Sequence, residues 1–196
     1  TSYSEVTIGS QVWMSEDLKT THYSNGSLIP SVDISNLSAT EINNLIRSTY
    51  ENSPVVYIRN GVYYYNGHSA TQSICPSGYS VPSRNDFETL FDYVLSNYDA
   101  VSDYNDNENT AHHIQSGGSS NFNLTLLPDE DGNGNFRSPY PYTKLWTNNG
   151  RYFLHTGFEG NYTDGDGSPM TIRPSIQVNI INNLPRKPYR VRCIKN

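Results

Sequence analysis

The strongest periodic signal in the chain lies at residues 83–98. Phe87, Leu90, Phe91, Val94, Leu95 and Tyr98 recur at helical spacing and define one apolar stripe. Ser83 stands at the N-cap position, and Asp86 three residues on completes a capping box. Such a helix needs an apolar partner surface to cover its stripe. Strand signals supply it. Val6, Ile8 and Val12-Trp13 flank Gly9-Ser10 as a hairpin. Residues 55–65 (VVYIRNGVYYY) read as two strands about Asn60-Gly61, the dipeptide best suited to a two-residue hairpin turn. Residues 38–50 read as a second helix, with Ser38 and Glu41 as its box and Ile42, Leu45, Ile46 and Tyr50 as its stripe. Strands return at Tyr152–Phe158, at Ile176, Val178 and Ile180, and at Tyr189, Val191 and Cys193. Two main helices among strands, then a long loop region, then more strands, predict an α+β fold with antiparallel sheets rather than a βαβ series. No internal repeat or linker divides residues 1–196, so a single domain is expected.

Residues 99–150 change character. Apart from a strand-like run around Phe122–Leu127, they are rich in Asp, Asn, Gly, Ser and Pro, and a structureless stretch of this length in a compact domain is usually functional. Within it, Asp129-Glu130-Asp131-Gly132-Asn133-Gly134-Asn135 repeats the first half of the D-x-[DN]-x-[DN]-G calcium loop. The chemistry is direct. Calcium takes six to eight oxygens at about 2.3–2.6 Å, and alternate residues of a tight loop can turn theirs inward. Position twelve of that loop would be Tyr140 rather than Glu, and the flanks are not helical, so this is no EF-hand and further ligands must come from elsewhere. The same residues also make a good polar hairpin turn. Asp164 and Asp166 in Asn161–Gly167 alternate in the same way, and Asp103–Glu108 is a third acidic run. Like-charged loops repel unless a cation neutralises them.

Other chemistries find little footing. The chain carries 16% charged residues and a net charge of −6, with no basic stripe, so nucleic acid is not an expected partner. No apolar run is long enough to span a bilayer, and no signal peptide is visible. A chain beginning Thr1-Ser2-Tyr3 reads as a piece of a longer protein. Nucleophile elbow, phosphate loop and dinucleotide fingerprint are all missing from the sequence. His22, His68, His112, His113 and His155 show no metal-binding spacing and read as surface or structural residues. The sixteen tyrosines offset a shortage of aliphatic residues, as core filler or as rigid contact area for a binding face. Cys75 and Cys193 belong to no Cys-x-x-Cys pair, which argues against thiolate zinc. One disulfide tying the last strand to mid-chain, in an oxidising compartment, or two buried thiols both fit.

Several segments, in order from end to end, resemble the Fibrobacter succinogenes major paralogous domain, a family of exported bacterial proteins. Ile8-Gly9-Ser10-Gln11-Val12-Trp13-Met14-Ser15-Glu16-Asp17-Leu18 resembles its opening I-G-x-Q-x-W-M-x-E-N-L. Ile74-Cys75-Pro76-Ser77-Gly78-Tyr79-Ser80-Val81-Pro82-Ser83 is similar to its I-C-P-x-G-W-x-x-P-S. Phe122-Asn123-Leu124 with Leu127-Pro128, Leu145-Trp146-Thr147 and Val191-Arg192-Cys193-Ile194 follow its F-x-A-L-P, W-S-S and V-R-C-V. The resemblance implies a C-type-lectin-like fold with first and last strands paired, and it supports the Cys75–Cys193 disulfide. The family's glycine-rich segment after Leu-Pro is replaced here by Asp129–Asn135, and residues 28–60 are longer and more polar than the family pattern. In C-type lectins a W-N-D motif brings calcium and ligand together, and Trp146-Thr147-Asn148-Asn149 resembles it loosely.

These readings predict a non-enzymatic, calcium-dependent adhesion module at the surface of a bacterium, monomeric within a larger chain and not inserted in the membrane. Asp129, Asp131, Asn133, Asn135, Asn148, Asn149, Asp164 and Asp166 are the candidate Ca2+ ligands. Tyr140, Tyr142, Tyr152 and Tyr162 are the candidate contacts for a peptide C-terminus or a glycan on another cell. The alternatives are a calcium-stabilised spacer without its own ligand, and an enzyme using oxidative cysteine chemistry.

Overall fold

A computed structural model describes residues 2–48, 53–102, 104–125, 142–150, 152–159, 173–180 and 188–196. In chain order the elements are β1 (Glu5–Ile8), β2 (Gln11–Met14), β3 (Ser31–Asp33), α1 (Ala39–Ser48), β4 (Val56–Arg59), β5 (Val62–Tyr65), α2 (Gly67–Ala70), β6 (Tyr79–Ser80), α3 (Arg84–Asn97), α4 (Asp106–Ile114), β7 (Tyr142–Trp146), β8 (Tyr152–Glu159), β9 (Arg173–Ile180) and β10 (Ile194–Lys195). They form three small sheets, ordered β1-β2-β10-β6, β3-β4-β5 and β7-β8-β9. The fold is mixed α and β. Every strand pair is antiparallel except β3 with β4, which runs parallel.

Local chemistry sets these elements as the sequence predicts. At α3 the Ser83 hydroxyl accepts from the Asp86 amide while the Asp86 carboxylate accepts from the Ser83 amide. At α1 Glu41 and Ser38 make the same reciprocal pair. Between β4 and β5, Asn60 and Gly61 both take positive φ, 50° and 79°, the turn whose twist matches a two-residue hairpin.

The core divides along the first sheet. Trp13 and Met14 are adjacent in β2, so their side chains leave opposite faces, and both are fully buried. Trp13 stacks on Phe87 of α3 at 5.4 Å and meets Phe122 edge-on at 5.3 Å, beside Leu90, Val94, Ile114 and Leu145. Met14 joins Leu18, Tyr65, Trp146, Tyr189 and the disulfide on the other face. Residues 31–65 bring their own small core, in which Ile42 and Ile46 of α1 cover Tyr57 and Tyr64.

Three expectations change. Residues 106–114, read as loop, form α4. Its N-cap is Asn105, with Glu108 at the reciprocal position, so these oxygens of the third acidic run accept from helix-end amides. Asp103 lies outside the described residues. Residues 122–125 are not a strand: Asn121 and Asn123 adopt left-handed φ of 57° and 52°, and only Leu124 bridges, to Gln115. The last strand pairs with β2 and β6, not with β1, so the opening hairpin reaches the chain's end through its second strand.

Cys75 and Cys193 are joined as a disulfide, with Cα atoms 6.1 Å apart and a separation of 118 positions along the chain. Both lie in the core, so the link closes a very long loop in the unfolded chain. Replacing both by alanine is expected to lower unfolding free energy by about 2–5 kcal/mol in denaturant titration.

Candidate functional site

The three-stranded sheet organises the second half. In β7–β8, Tyr142 pairs with Gly157 and Trp146 with Phe153; in β8–β9, Tyr152 pairs with Ile180 and Glu159 with Arg173. The segment carrying Asp129–Asn135 enters at Tyr142, and the segment carrying Asp164 and Asp166 runs from Glu159 to Arg173. This register sets the strand ends that flank both segments, Tyr142, Glu159 and Arg173, at one end of the sheet. Asn148, Asn149 and Tyr152 belong to the other end, about 20 Å away at the rise of an extended strand. Asp129, Asp131, Asn133, Asn135, Tyr140, Tyr162, Asp164 and Asp166 themselves lie outside the described residues. Tyr142 begins β7 at the acidic end, while Tyr152 begins β8 at the far end.

The Trp146–Gly150 turn has interactions of its own. The indole Nε1 of Trp146 donates to the Tyr65 carbonyl at 2.6 Å, and its ring lies 4.6 Å from that of Tyr189. The Asn149 side-chain oxygen accepts from the Thr147 hydroxyl at 3.0 Å, and the Asn148 amide donates to the Pro82 carbonyl at 2.8 Å. Gly150 sits at φ +63°, and a Cβ there would fall 2.6 Å from the Gly67 carbonyl oxygen, so this turn admits only glycine. The resemblance to W-N-D therefore holds a tight turn packed on α2. Asn148 borders a shallow cleft of about 270 Å³ with Ser24, Thr71, Gln72 and Tyr79. Among the described residues, no group of three His, Cys, Asp or Glu side chains is placed to hold a metal. His113 is structural: Nε2 donates to the Asp99 carbonyl at 3.0 Å and the ring stacks on Tyr98 at 5.2 Å.

A charged cluster escaped the sequence reading. Asp17 bonds Arg190 Nη1 through Oδ2 at 2.5 Å, and Arg192 Nη2 and Nε through Oδ1 at 2.7 and 2.9 Å. All three are largely buried, with side-chain exposures of 13%, 3% and 2% in that order. The arginines also reach the segment ahead of Asp129. Arg192 donates to the Phe122 and Asn123 carbonyls and lies 4.7 Å over the Phe122 ring. Arg190 donates to the Thr125 carbonyl at 2.5 Å and to the Thr143 hydroxyl. The terminal segment thus clamps both chain entries to residues 126–141. Burial alone would push the Asp17 carboxyl up, but the charges of Arg190 and Arg192 outweigh it and hold it below the ordinary carboxylate range. The signal was present: Arg190 and Arg192 alternate with buried Val191 and Cys193 in a sequence with few charges, so the arginine face must also meet protein.

The family model described as the Fibrobacter succinogenes major domain matches residues 6–195. The chain belongs to this family. No curated protein and no solved structure matches it. The match to the Fibrobacter succinogenes major domain begins in the opening hairpin and ends in β10, so it takes in the disulfide and both sides of the charged cluster.

Asp17→Asn is expected to lower stability by about 3–5 kcal/mol, because it strips a carboxylate from two buried guanidiniums. The lowered Asp17 value also fixes a sign. Its stabilisation is complete above the ordinary carboxylate value near pH 4 and is lost as pH falls through the lower folded-state value. Urea titrations from pH 6 to pH 2 should show a shallower acid decline in Asp17→Asn than in the parent.

Proposed function

We propose that this chain is a non-enzymatic, calcium-dependent recognition module of an exported bacterial surface protein, with a C-type-lectin-like arrangement of its loops. The observation that carries the reading is the register of β7, β8 and β9, which leads the two acidic segments away from one end of one sheet. Oxygen-rich segments rooted side by side have the donor chemistry for a hard cation, and the cation offsets their mutual repulsion. The Asp17–Arg190–Arg192 cluster adds rigidity where it matters, since it bonds the Phe122–Thr125 backbone and the Thr143 hydroxyl. Sites held by braced supports lose less entropy on binding. The core disulfide agrees with an oxidising compartment.

In this reading Asp129, Asp131, Asn133, Asn135, Asp164 and Asp166 contribute calcium ligands. Tyr140, Tyr142 and Tyr162 lie close by in sequence as aromatic contacts for a peptide end or a glycan. Asn148 and Asn149, rooted at the opposite end of the sheet, drop out of the calcium set, and Tyr152 drops out of the ligand contacts. Calorimetric titration with calcium should give a saturable heat that Asp129→Asn/Asp131→Asn removes. Calcium at a hundred times its dissociation constant should add about 2.7 kcal/mol of stability, reversed by EDTA. A titration without heat at millimolar calcium, together with melting indifferent to chelator, refutes the reading.

A further inference from the structure

A second cleft has no assigned task. It measures about 430 Å³ and lies over the Asp17–Arg190–Arg192 cluster. Three distant stretches wall it: Ser15–Lys19 after the opening hairpin, the Asn60–Tyr63 turn, and the loop holding Ser116, Asn123 and Thr125. The turn belongs to the 31–65 lobe with its own small core, so the cleft lies at a junction between two packed units, a common place for ligand sites.

The lining has a definite chemistry. Its ionised groups face one another: Asp17 takes both arginines, and Lys19 stands 3.9 Å from Glu16 at the rim. The exposed groups around them are the amides of Asn60 and Asn123 and the hydroxyls of Ser116 and Thr125. Tyr63 is half-buried and supplies an aromatic surface beside them. Three non-glycine residues among those described adopt left-handed φ, and two of them, Asn60 and Asn123, are on this rim. Neutral donors and acceptors around one aromatic ring, over a rigid floor, suit a ligand with many hydroxyls and an apolar C–H face.

We infer that this cleft binds a neutral saccharide without calcium: the ring's C–H face lies on Tyr63, and Asn60, Asn123 and Ser116 bond its hydroxyls. The inference rests on the reading of the chain as a recognition module, but not on the cation. The test uses the full chain and a panel of neutral di- to tetrasaccharides of gluco, galacto, manno and xylo configuration, followed by ligand-observed NMR at millimolar sugar with calcium or with EDTA. Asn60→Gly/Asn123→Gly removes both amides while keeping the left-handed backbone, and Tyr63→Ala removes the ring. Thermal melting checks that each variant is folded. At least one sugar should bind equally in calcium and in EDTA, and weaken tenfold or more in the double glycine variant and in Tyr63→Ala. No binding by any sugar in either buffer overturns the inference, as does binding that both folded variants retain. A sugar that EDTA releases while both variants hold it overturns the cleft but leaves the calcium reading standing. A calcium titration without heat, beside a sugar bound in EDTA, does the reverse.

Discussion

Residues 189–195 are the constraint on which the rest of the architecture depends. Tyr189 bridges Tyr65 of β5, Arg190 bridges Leu145 of β7, and Ile194 pairs with both Trp13 of β2 and Ser80 of β6. One short segment therefore touches all three sheets. Its side chains alternate accordingly. Val191 and Cys193 fill the disulfide core, while Arg190 and Arg192 turn to Asp17 and the Phe122–Thr125 backbone. Burying two guanidiniums is costly unless they are paired and their N–H groups bonded, and Asp17, three backbone carbonyls and the Thr143 hydroxyl meet most of that need. These bonds add polar support to a loop that Phe122 and Leu124 anchor in the core.

That arrangement separates two jobs. The first sheet, with α3 and α4 on one face and the disulfide core on the other, is packed for stability. The candidate binding regions lie around it: the end of the β7–β8–β9 sheet where the acidic segments are rooted, and the cleft above the charged cluster. Each is supported by the same two arginines, so a change at Asp17 acts on both through the backbone they hold.

Much of the scaffold was legible because it rests on local chemistry. The capping boxes of α1 and α3, the Asn60-Gly61 turn and the β1–β2 hairpin all follow from residues within a few positions of one another. Helix α4 was missed because its inward face is polar. Asn109, Thr110 and His113 are buried there, and Asn109 bonds the Val101 amide and the Tyr104 carbonyl, so no apolar stripe marks the helix. The short β7 was hidden in a polar stretch. The charged cluster was legible only in half: the alternation of Arg190 and Arg192 marks their face, but Asp17 stands 175 residues from Arg192 and only the tertiary fold pairs them. The candidate calcium ligands stand as sequence readings, and what the fold adds is where their flanking strands begin and end.

The pairing of β2 with β10 has a consequence for how such a chain is made. Trp13 sits between the helix that buries it and a strand nearly two hundred residues downstream, and the cysteines span most of the same distance. Contacts so remote in sequence form slowly, since loop closure precedes any gain from them. A ribosome or translocon releasing this domain from its N-terminus holds back the residues that complete every sheet until the last. The domain therefore keeps unfinished sheet edges, and acquires its native form only after residues 189–195 emerge.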